Sequence, residues 1–338
     1  MAMRVVVADH GVARLEGALD AVADLDPDIA DRAALALEEI LEGIVRSPWQ
    51  SVAWSASSLT QTGYPVELAV TSGRHELRYA ADVVGPERPA RDAFAVGCSV
   101  LRAVGGVAPE GSAFERTVSE LFRAPDLRYG VRIGGRHDAL GDRFKLYVEV
   151  PRSTPRPLAA EVLRSFTHDR VLAQLELGRL RMLGLDATAG TVEAYFRTEV
   201  ANSREALELL RRTALADRAG DLVSFVEATA RRGRRSAFER ATVGVSVTLA
   251  GDGRTVACAL FRPARFLFPS DVAVQRGLHE LCADRGLDLP FYSELTRTLR
   301  AERHPRHRWH GLLAWTVAGE GDPVLTVGLA PPGDAEPS

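Results

Sequence analysis

Residues 243–261, VGVSVTLAGDGRTVACALF, contain the clearest β-hairpin pattern of the chain. Two segments rich in Val, Thr and other apolar residues, 243–249 and 255–261, flank the sequence AGDGR. Asp252-Gly253 is a strong hairpin signal because Asp and Gly tolerate the positive φ angles that a tight two-residue turn requires. The stretch therefore predicts two antiparallel strands joined at residues 250–254.

The same pattern recurs along the 338-residue chain. Four further pairs of segments predict hairpins: 64–71 with 76–83, 129–134 with 143–150, 180–186 with 191–198, and 311–317 with 324–329. Between the hairpins, apolar residues recur at three- and four-residue spacing, which is typical of a helix with one buried face. These helical segments are 12–22, 29–45, 91–104, 113–122, 158–177, 204–215, 222–230, 272–285 and 292–299. The strongest is 29–45, which follows Pro27 and for which Asp28 is the predicted cap.

The order of elements is helix, helix, strand, strand, five times over. Ten antiparallel strands with helices on one face remove their open edges by closing into a barrel. A barrel of ten strands is wider than an eight-stranded one filled by side chains, so it encloses a ligand cavity. We predict an α+β fold in which a closed ten-stranded antiparallel β-barrel is ringed by helices in one domain, residues 1–330. The polar, Pro-rich residues 331–338 are predicted to be a disordered tail.

Composition excludes several classes of protein. The 42 Lys and Arg residues against 45 Asp and Glu give a net charge of −3, which argues against a polycation that binds nucleic acid. The sequence has no uninterrupted apolar run long enough for a membrane span, and its first residues do not resemble a signal peptide. The three cysteines, Cys98, Cys258 and Cys282, match no metal-binding spacing and cannot all pair, so we expect a reducing cytoplasm.

Three of the predicted hairpins carry motifs of a known family. The first has Leu59-Thr60, then Tyr64-Pro65-Val66-Glu67 and, eleven residues after Glu67, Arg78; the second has Lys145-Leu146-Tyr147 before Pro151; the third has Tyr195. Lys145 is the only lysine of the chain. These motifs and the fivefold order resemble the aromatic prenyltransferase barrel (ABBA) family, and more closely its indole, dimethylallyltryptophan synthase-like branch. The element order covers most of the chain, whereas the motifs cover three short strands.

The resemblance implies a transferase that moves an allylic prenyl group from its diphosphate to an electron-rich aromatic, indole- or phenol-type, free or in a peptide. That chemistry needs cations around the departing diphosphate, aromatic faces around the carbocation and a base for the acceptor. The resemblance makes Glu67 the base, Arg78 and Lys145 diphosphate ligands, and Tyr147 and Tyr195 parts of the cation shield. It requires no cofactor, and no ligand motif implies magnesium, whose involvement stays open.

Alternation along the strands supports a lumen role for these residues, because successive side chains of a strand point to opposite faces. On one strand Lys145, Tyr147 and Glu149 share a face, and the apolar Leu146, Val148 and Val150 share the other. On the third hairpin Glu193, Tyr195 and Arg197 share a face. We therefore predict that the charged and aromatic faces line the lumen, with the roles of Glu193 and Glu149 undecided.

The sequence also departs from the indole branch. Thr191 and Glu193 occupy the places of two cations, and Arg197 on the same face is the predicted substitute as a diphosphate ligand. Cys258 or Ala259, and Gly328, stand where aromatic residues are expected. Both the diphosphate site and the shield are therefore predicted to be thinned.

Two other functions remain open. The first is an enzyme of the same fold that uses no prenyl diphosphate and performs an acid–base cyclisation or rearrangement in secondary metabolism, with Glu67 and Glu193 as the titrating groups. The second is a non-catalytic barrel that binds a peptide or small molecule.

Ordinary structural roles are alternatives for some of the same residues. Arg78 has Glu76 and Asp82 as candidate ion-pair partners, and Glu193 has Arg197. His304, His307 and His310 are spaced three and three across Pro305, a pattern that favours a solvated loop over a metal site.

Overall fold

Ten antiparallel strands close into a barrel in the computed structural model, which describes residues 10–109, 113–164, 166, 177–200, 202–211, 215–233, 235–238, 241–300, 309–319 and 321–331. The strands are β1 (Val66–Thr71), β2 (Glu76–Asp82), β3 (Val131–Asp138), β4 (Gly141–Glu149), β5 (Arg179–Asp186), β6 (Thr191–Val200), β7 (Ala241–Leu249), β8 (Thr255–Pro263), β9 (His310–Ala318) and β10 (Val324–Leu329). Each strand pairs with its neighbours in sequence, and β1 pairs with β10 to complete the ring. The predicted closed barrel is confirmed.

Helices precede each hairpin; of the predicted helical segment 158–177, residues 165 and 167–176 lie outside the described residues. The helices are α1 (His10–Ala23), α2 (Pro27–Ile40), α3 (Glu42–Val45), α4 (Gln50–Ala53), α5 (Ala93–Ala103), α6 (Ala113–Leu121), α7 (Arg156–Arg164), α8 (Ser203–Leu210), α9 (Ala219–Arg232), α10 (Asp271–Arg285) and α11 (Tyr292–Leu295). Short 3₁₀ turns lie at Ala90–Asp92, Ala216–Arg218, Ala264–Phe266 and Arg297–Arg300. Because consecutive strands alternate in direction, the five hairpin turns lie at one end of the barrel, the turn end, and the helical connections lie at the other.

The main apolar core lies between the barrel and the helices. The outward side chains of β4, Leu146 and Val148, are fully buried, as their alternation predicts. Trp315 of β9 is also fully buried, and its indole Nε1 donates to Thr229 Oγ1 of α9 at 2.9 Å. One face of the sheet therefore packs under helices, which leaves the opposite face to line the lumen.

Helix α2 is capped by Asp26 rather than by the predicted Asp28. The Asp26 carboxylate accepts a hydrogen bond from Ile29 N at 3.0 Å, and Pro27 is the first helical residue. Proline suits that position because its missing N–H would lack a helical partner there, so the cap is the residue before it. Asp28 accepts a hydrogen bond from Arg32 Nε instead. The predicted helix 29–45 is also interrupted at Leu41, where α2 gives way to α3.

The second hairpin is longer than predicted. The predicted strand ends at Gly134, yet β3 continues to Asp138. A Cβ built on Gly135 would lie 2.2 Å from the ring of Tyr79, so the glycine makes room for that ring within the strand. The longer strand adds Arg136 to the face that contains Gly134.

His310 is buried and does not belong to a solvated loop. It begins β9, its Nδ1 lies 2.7 Å from Asp271 Oδ1, and its Nε2 lies 2.9 Å from the hydroxyl of Tyr292. His304 and His307 lie outside the described residues. Within the described ranges, no three His, Cys, Asp or Glu side chains are grouped so that they would hold a metal ion.

The described residues bear on three further predictions, which concern the cysteines, a membrane span and the C-terminal tail. All three cysteines are free thiols. None of the helices in the described part of the chain has the length and apolar character needed to cross a membrane. Of the predicted tail, Pro331 is described and its carbonyl accepts a hydrogen bond from Arg14; residues 332–338 lie outside the described residues.

Candidate active site

Glu67 projects from the lumen face of β1, between the fully buried Val66 and Leu68. Its carboxylate accepts a hydrogen bond from the backbone N–H of Leu312. Burial raises the pKa of Glu67 from an ordinary value of 4.5 to about 7, although Arg132 and the Leu312 N–H act in the opposite direction. A carboxyl with this pKa exchanges a proton readily at neutral pH.

Two glycines give the Glu67 carboxylate its space. A Cβ built on Gly311 of β9 would lie 1.9 Å from Glu67 Oε1, and one built on Gly328 of β10 would lie 2.8 Å from the same oxygen. Glycine in a strand commonly marks such a close approach. Gly328 therefore makes room for the carboxylate at the place where the sequence comparison expects an aromatic residue.

Three arginines lie side by side on the lumen face of neighbouring strands. Arg78 of β2 is the Cα partner of Arg136 of β3, and Arg136 is the Cα partner of Arg143 of β4. Paired strands are about 4.8 Å apart, so the three side chains form one cationic row. Only Arg78 of the row was among the predicted site residues.

The arginine row and Lys145 line a cavity of about 130 Å³. Tyr147 and Asp186 are also part of its wall. Lys145 follows Arg143 by two residues, on the same face of β4, as the alternation predicts. The cavity wall therefore combines cationic, aromatic and acidic side chains.

Acidic side chains already neutralise part of the row. Arg136 Nε lies 2.6 Å from Glu76 Oε2, and Arg136 Nη2 lies 2.9 Å from Asp138 Oδ2, which also lies 3.4 Å from Arg143 Nη2. Arg78 makes no ion pair or hydrogen bond with the described residues: Glu76, one proposed partner, contacts Arg136 and acts on Arg78 only through its charge. Asp82 pairs with Arg132 at 2.6 Å instead.

Lys145 is paired with Glu193 across the lumen wall. Lys145 Nζ donates to Glu193 Oε2 at 2.7 Å, so Arg197 is not the partner of Glu193. Burial alone would raise the pKa of Glu193, but the charge and hydrogen bond of Lys145, with hydrogen bonds from Ser246 and Tyr195, hold it at about 2. Glu193 therefore stays ionised across the range in which an acid–base catalyst would titrate.

Three aromatic rings follow one another along the lumen. The centroids of Tyr147 and Tyr195 are 6.0 Å apart, and those of Tyr195 and Phe261 are also 6.0 Å apart, both in edge-to-face geometry. Phe261 lies on β8, two residues beyond Ala259, and its ring needs the space beside Gly244. The fourth hairpin thus supplies an aromatic side chain, although Cys258 is buried and Ala259 is small, as predicted.

Tyr147 is framed by glycines on both neighbouring strands. A Cβ on Gly134 of β3 would lie 2.6 Å from the ring of Tyr147, and a Cβ on Gly184 of β5 would lie 3.2 Å from it. The ring therefore depends on the absence of side chains at these two positions. Gly134 makes room for Tyr147 as Gly135 does for Tyr79, which explains the place of the pair within β3.

Glu149 shares the face of Lys145 and Tyr147, but its carboxylate accepts hydrogen bonds from the backbone. Glu149 Oε2 accepts three hydrogen bonds, from the N–H groups of Arg128, Tyr129 and Gly130, at 2.8, 2.9 and 3.0 Å. The side chain is almost fully buried. Glu149 fixes the segment that leads into β3 and lies away from the lumen cavity.

Arg197 is exposed on β6, where its Cα partners are Arg179 and Gly244. It follows Tyr195 by two residues, toward the end of the barrel that carries the helical connections. It does not line the cavity formed by the arginine row. Its predicted role as a diphosphate ligand stays a prediction.

No protein-family model matches the sequence, and no curated protein does. Solved structures match over nearly the whole chain. The 5-dimethylallyltryptophan synthase from Streptomyces coelicolor superposes with a TM-score of 0.73 at 19% identity, over 95% of this chain and 96% of that one. This chain has the prenyltransferase-barrel fold.

Two further prenyltransferase barrels show the same relationship. PriB in complex with L-tryptophan and dimethylallyl thiolodiphosphate gives a TM-score of 0.76 at 17% identity, covering 98% of this chain and 100% of PriB. The 6-dimethylallyltryptophan synthase from Micromonospora olivasterospora gives 0.73 at 17% identity, covering 95% and 97%. The TM-scores establish a shared fold despite these low identities, and the activity has to follow from the residues in the lumen.

Proposed function

We propose that this chain is an aromatic prenyltransferase that moves a dimethylallyl-type group from its diphosphate to an indole-type acceptor. The observation that carries the proposal is the cationic row of Arg78, Arg136 and Arg143 beside the aromatic chain of Tyr147, Tyr195 and Phe261. Both lie within one lumen of the prenyltransferase-barrel fold. The PriB structure, which has the same fold, holds L-tryptophan and a dimethylallyl diphosphate analogue.

The cationic row serves the leaving group. When the allylic carbon–oxygen bond breaks, its electron pair goes to the diphosphate, whose negative charge increases. Guanidinium groups bind phosphate oxygens through paired, charge-assisted hydrogen bonds, so a row of them favours this departure. Arg78 is the first candidate to contact the diphosphate because its guanidinium makes no ion pair or hydrogen bond with a described side chain, although the charges of Glu76 and Glu193 act on it.

The aromatic chain serves the carbocation. The faces of Tyr147, Tyr195 and Phe261 attract a cation through their ring quadrupoles and exclude the water that would otherwise capture it. Edge-to-face contacts hold each ring against the next and fix the wall.

Glu67 serves the acceptor. The indole ring attacks the allylic cation with a pair of its π electrons, forms the new carbon–carbon bond and then gives up a proton. Glu67, with a pKa of about 7, is suited to accept that proton near neutral pH. Loss of the proton removes the positive charge of the alkylated acceptor and restores its aromatic ring.

The acid–base alternative is less well supported. It needs Glu193 as a second titrating group beside Glu67, whereas the ion pair with Lys145 keeps Glu193 ionised with a pKa of about 2. A group that remains ionised neither donates nor accepts a proton at neutral pH.

The test is an incubation with dimethylallyl or geranyl diphosphate and a panel of acceptors: tryptophan, indole, a tryptophan-containing peptide and simple phenols. We expect a prenylated indole and release of inorganic diphosphate, detected by chromatography with mass spectrometry. Calorimetry with each prenyl diphosphate, with and without magnesium, tests binding directly. If neither diphosphate binds at millimolar concentration under either condition, the proposal is wrong and a diphosphate-free function takes its place.

A further inference from the structure

A β-bulge supplies the Glu67 carboxylate with its backbone donor. Two residues of β9, Gly311 and Leu312, lie opposite the single residue Gly328 of β10, where the pairing of the two strands shifts register. A bulge of this kind takes its extra residue out of the hydrogen-bond ladder. The N–H of Leu312 donates to the Glu67 carboxylate. The bulge therefore directs a backbone donor at the proposed base.

The residue before the bulge is held by a buried chain of hydrogen bonds that the proposed reaction does not use. His310 precedes Gly311; its Nδ1 lies 2.7 Å from Asp271 Oδ1, and its Nε2 lies 2.9 Å from the hydroxyl of Tyr292. The Asp271 carboxylate also accepts hydrogen bonds from the backbone N–H groups of His310, at 3.0 Å, and Trp309, at 3.2 Å. Asp271 begins α10 and Tyr292 begins α11, so two helices fix the start of β9.

The polarity of this chain is consistent with a neutral imidazole. Burial raises the pKa of Tyr292 well above its usual value, so its hydroxyl stays protonated. The Tyr292 O–H is then able to donate to Nε2 of His310, while the Nδ1–H donates to Asp271. Each ring nitrogen has a partner, and all three side chains are buried. Such a network holds the ring, and the backbone that carries it, in one orientation.

The surroundings of Glu67 make that backbone donor important. Burial raises the pKa of Glu67, whereas Arg132 of β3 and the Leu312 N–H lower it. Arg132 is itself paired with Asp82 of β2, at 2.6 Å between Nε and Oδ1, and the positions of β9 and β10 beside the Glu67 carboxylate are glycines. A hydrogen bond to a carboxylate stabilises its ionised form, so a movement of the Leu312 N–H changes the proton affinity of Glu67.

We propose that Asp271, His310 and Tyr292 are positioning residues for the proposed base: they fix the bulge so that the Leu312 N–H meets the Glu67 carboxylate. The inference rests on the proposed function, to which it adds the residues that orient its base. None of the three lines the cavity beside the arginine row. They act on the acceptor's proton through the backbone of β9.

The test is the titration of the Glu67 carboxyl in the full chain, followed by carbon-13 NMR with carboxyl-labelled glutamate and assigned with Glu67→Gln. We expect His310→Gln to raise the pKa of Glu67 by about one unit, because the ionised form loses its backbone donor. The pH profile of kcat/KM for prenyl transfer should move upward by the same amount. The affinity for inorganic diphosphate should stay within about twofold, since the arginine row lies nearer the turn end.

The matched control is His137→Gln. His137 is buried in a similar chain, with its Nδ1 2.8 Å from Asp142 Oδ1 and its Nε2 3.1 Å from the hydroxyl of Tyr79. It lies at the turn end of β3, whereas Glu67 lies near the start of β1. We expect this variant to lower the free energy of unfolding about as much as His310→Gln does, and to leave the titration of Glu67 unchanged.

A folded His310→Gln variant in which the pKa of Glu67 is unchanged or lowered would overturn the inference. Should that variant not fold, Tyr292→Phe takes its place, because it removes one hydroxyl and keeps the ring; a smaller upward shift supports the inference, and no shift overturns it. If the unaltered protein transfers no prenyl group, the proposed function is wrong, while the carboxyl titration still decides whether these residues position Glu67.

Discussion

The carboxylate of Glu67 fills the space in which a side chain on Gly311 would lie, since a Cβ there would come within 1.9 Å of Glu67 Oε1. Gly311 belongs to β9 and Glu67 to β1, and β10 lies between the two strands. A residue distant in sequence therefore decides whether the proposed base occupies its position.

Gly311→Ala is expected to lower prenyl transfer about tenfold or more, because the new methyl group displaces the Glu67 carboxylate from the acceptor. The measurement is kcat/KM with circular dichroism as a check on folding. Gly319→Ala is the matched control: Gly319 lies in the turn between β9 and β10, and a Cβ there meets nothing within 4 Å. Equal rates for the two variants would show that the glycine has no catalytic importance.

The pH dependence of kcat/KM should report Glu67. Burial raises its pKa from 4.5 to about 7, and the base is active when deprotonated, so the rate should rise with pH and level off above about 7. Glu67→Gln should remove both the activity and this titration. A rate that is constant between about pH 5 and 8 would contradict the assignment of Glu67 as the base.

Arg78→Gln is expected to weaken binding of inorganic diphosphate by roughly ten- to hundredfold, the usual effect of losing a charge-assisted hydrogen bond. The effect should exceed that of Arg143→Gln, because Arg143 is already paired with Asp138. Calorimetry measures both. Arg46→Gln is the control, since that exposed arginine pairs with Glu42 on a helix away from the lumen. A smaller loss of diphosphate affinity for Arg78→Gln than for Arg143→Gln would contradict the assignment of Arg78 as the main diphosphate contact of the row.

Phe261→Leu tests the aromatic wall. The change keeps apolar bulk and removes the ring face, so we expect a lower rate of prenyl transfer and a larger share of the prenyl alcohol formed by water. Chromatography measures the ratio of prenylated product to prenyl alcohol, and Phe261→Tyr should keep the ratio of the unaltered protein. Phe266→Leu, on a partly exposed ring outside the barrel strands, is the control. An unchanged alcohol share in Phe261→Leu would exclude this ring from the shield.

Glu149→Ala should affect stability. Three backbone N–H groups lose their acceptor, which is expected to lower the free energy of unfolding by roughly 3 kcal/mol. Urea denaturation measures the change, with Glu120→Ala on the exposed face of α6 as control. Loss of diphosphate affinity at full stability would instead place Glu149 in the lumen site.

The fold could be predicted from the sequence because helical and strand periodicities alternate five times, and the hairpin at residues 243–261 has a clear Asp-Gly turn signal. Parity along β4 was enough to place Lys145 and Tyr147 on the lumen face. The same alternation, extended by two residues, places Arg143 on this face, so Arg143 could also have been predicted. Arg136 could not be predicted, because the predicted strand ends at Gly134 and the rings that explain Gly134 and Gly135 come from other strands.

Ion pairs between lumen residues of different strands could not be predicted from the sequence. The ion pair between Lys145 and Glu193 joins strands β4 and β6, and which acid reaches the lysine depends on the register of β5 between them. Phe261 was missed because the register aligns Ala259 with Tyr195, whereas the ring of Phe261 reaches Tyr195 through the space that Gly244 leaves. The cap at Asp26 required only the rule that proline occupies the first helical position.

A crystal structure of this chain with dimethylallyl thiolodiphosphate bound tests the central claim most directly. We expect the diphosphate within hydrogen-bond distance of Arg78 and the arginine row, and the dimethylallyl carbons against Tyr147, Tyr195 and Phe261. A diphosphate bound outside the barrel, or a lumen that remains without the analogue at saturating concentration, would contradict the assignment of this lumen to prenyl transfer.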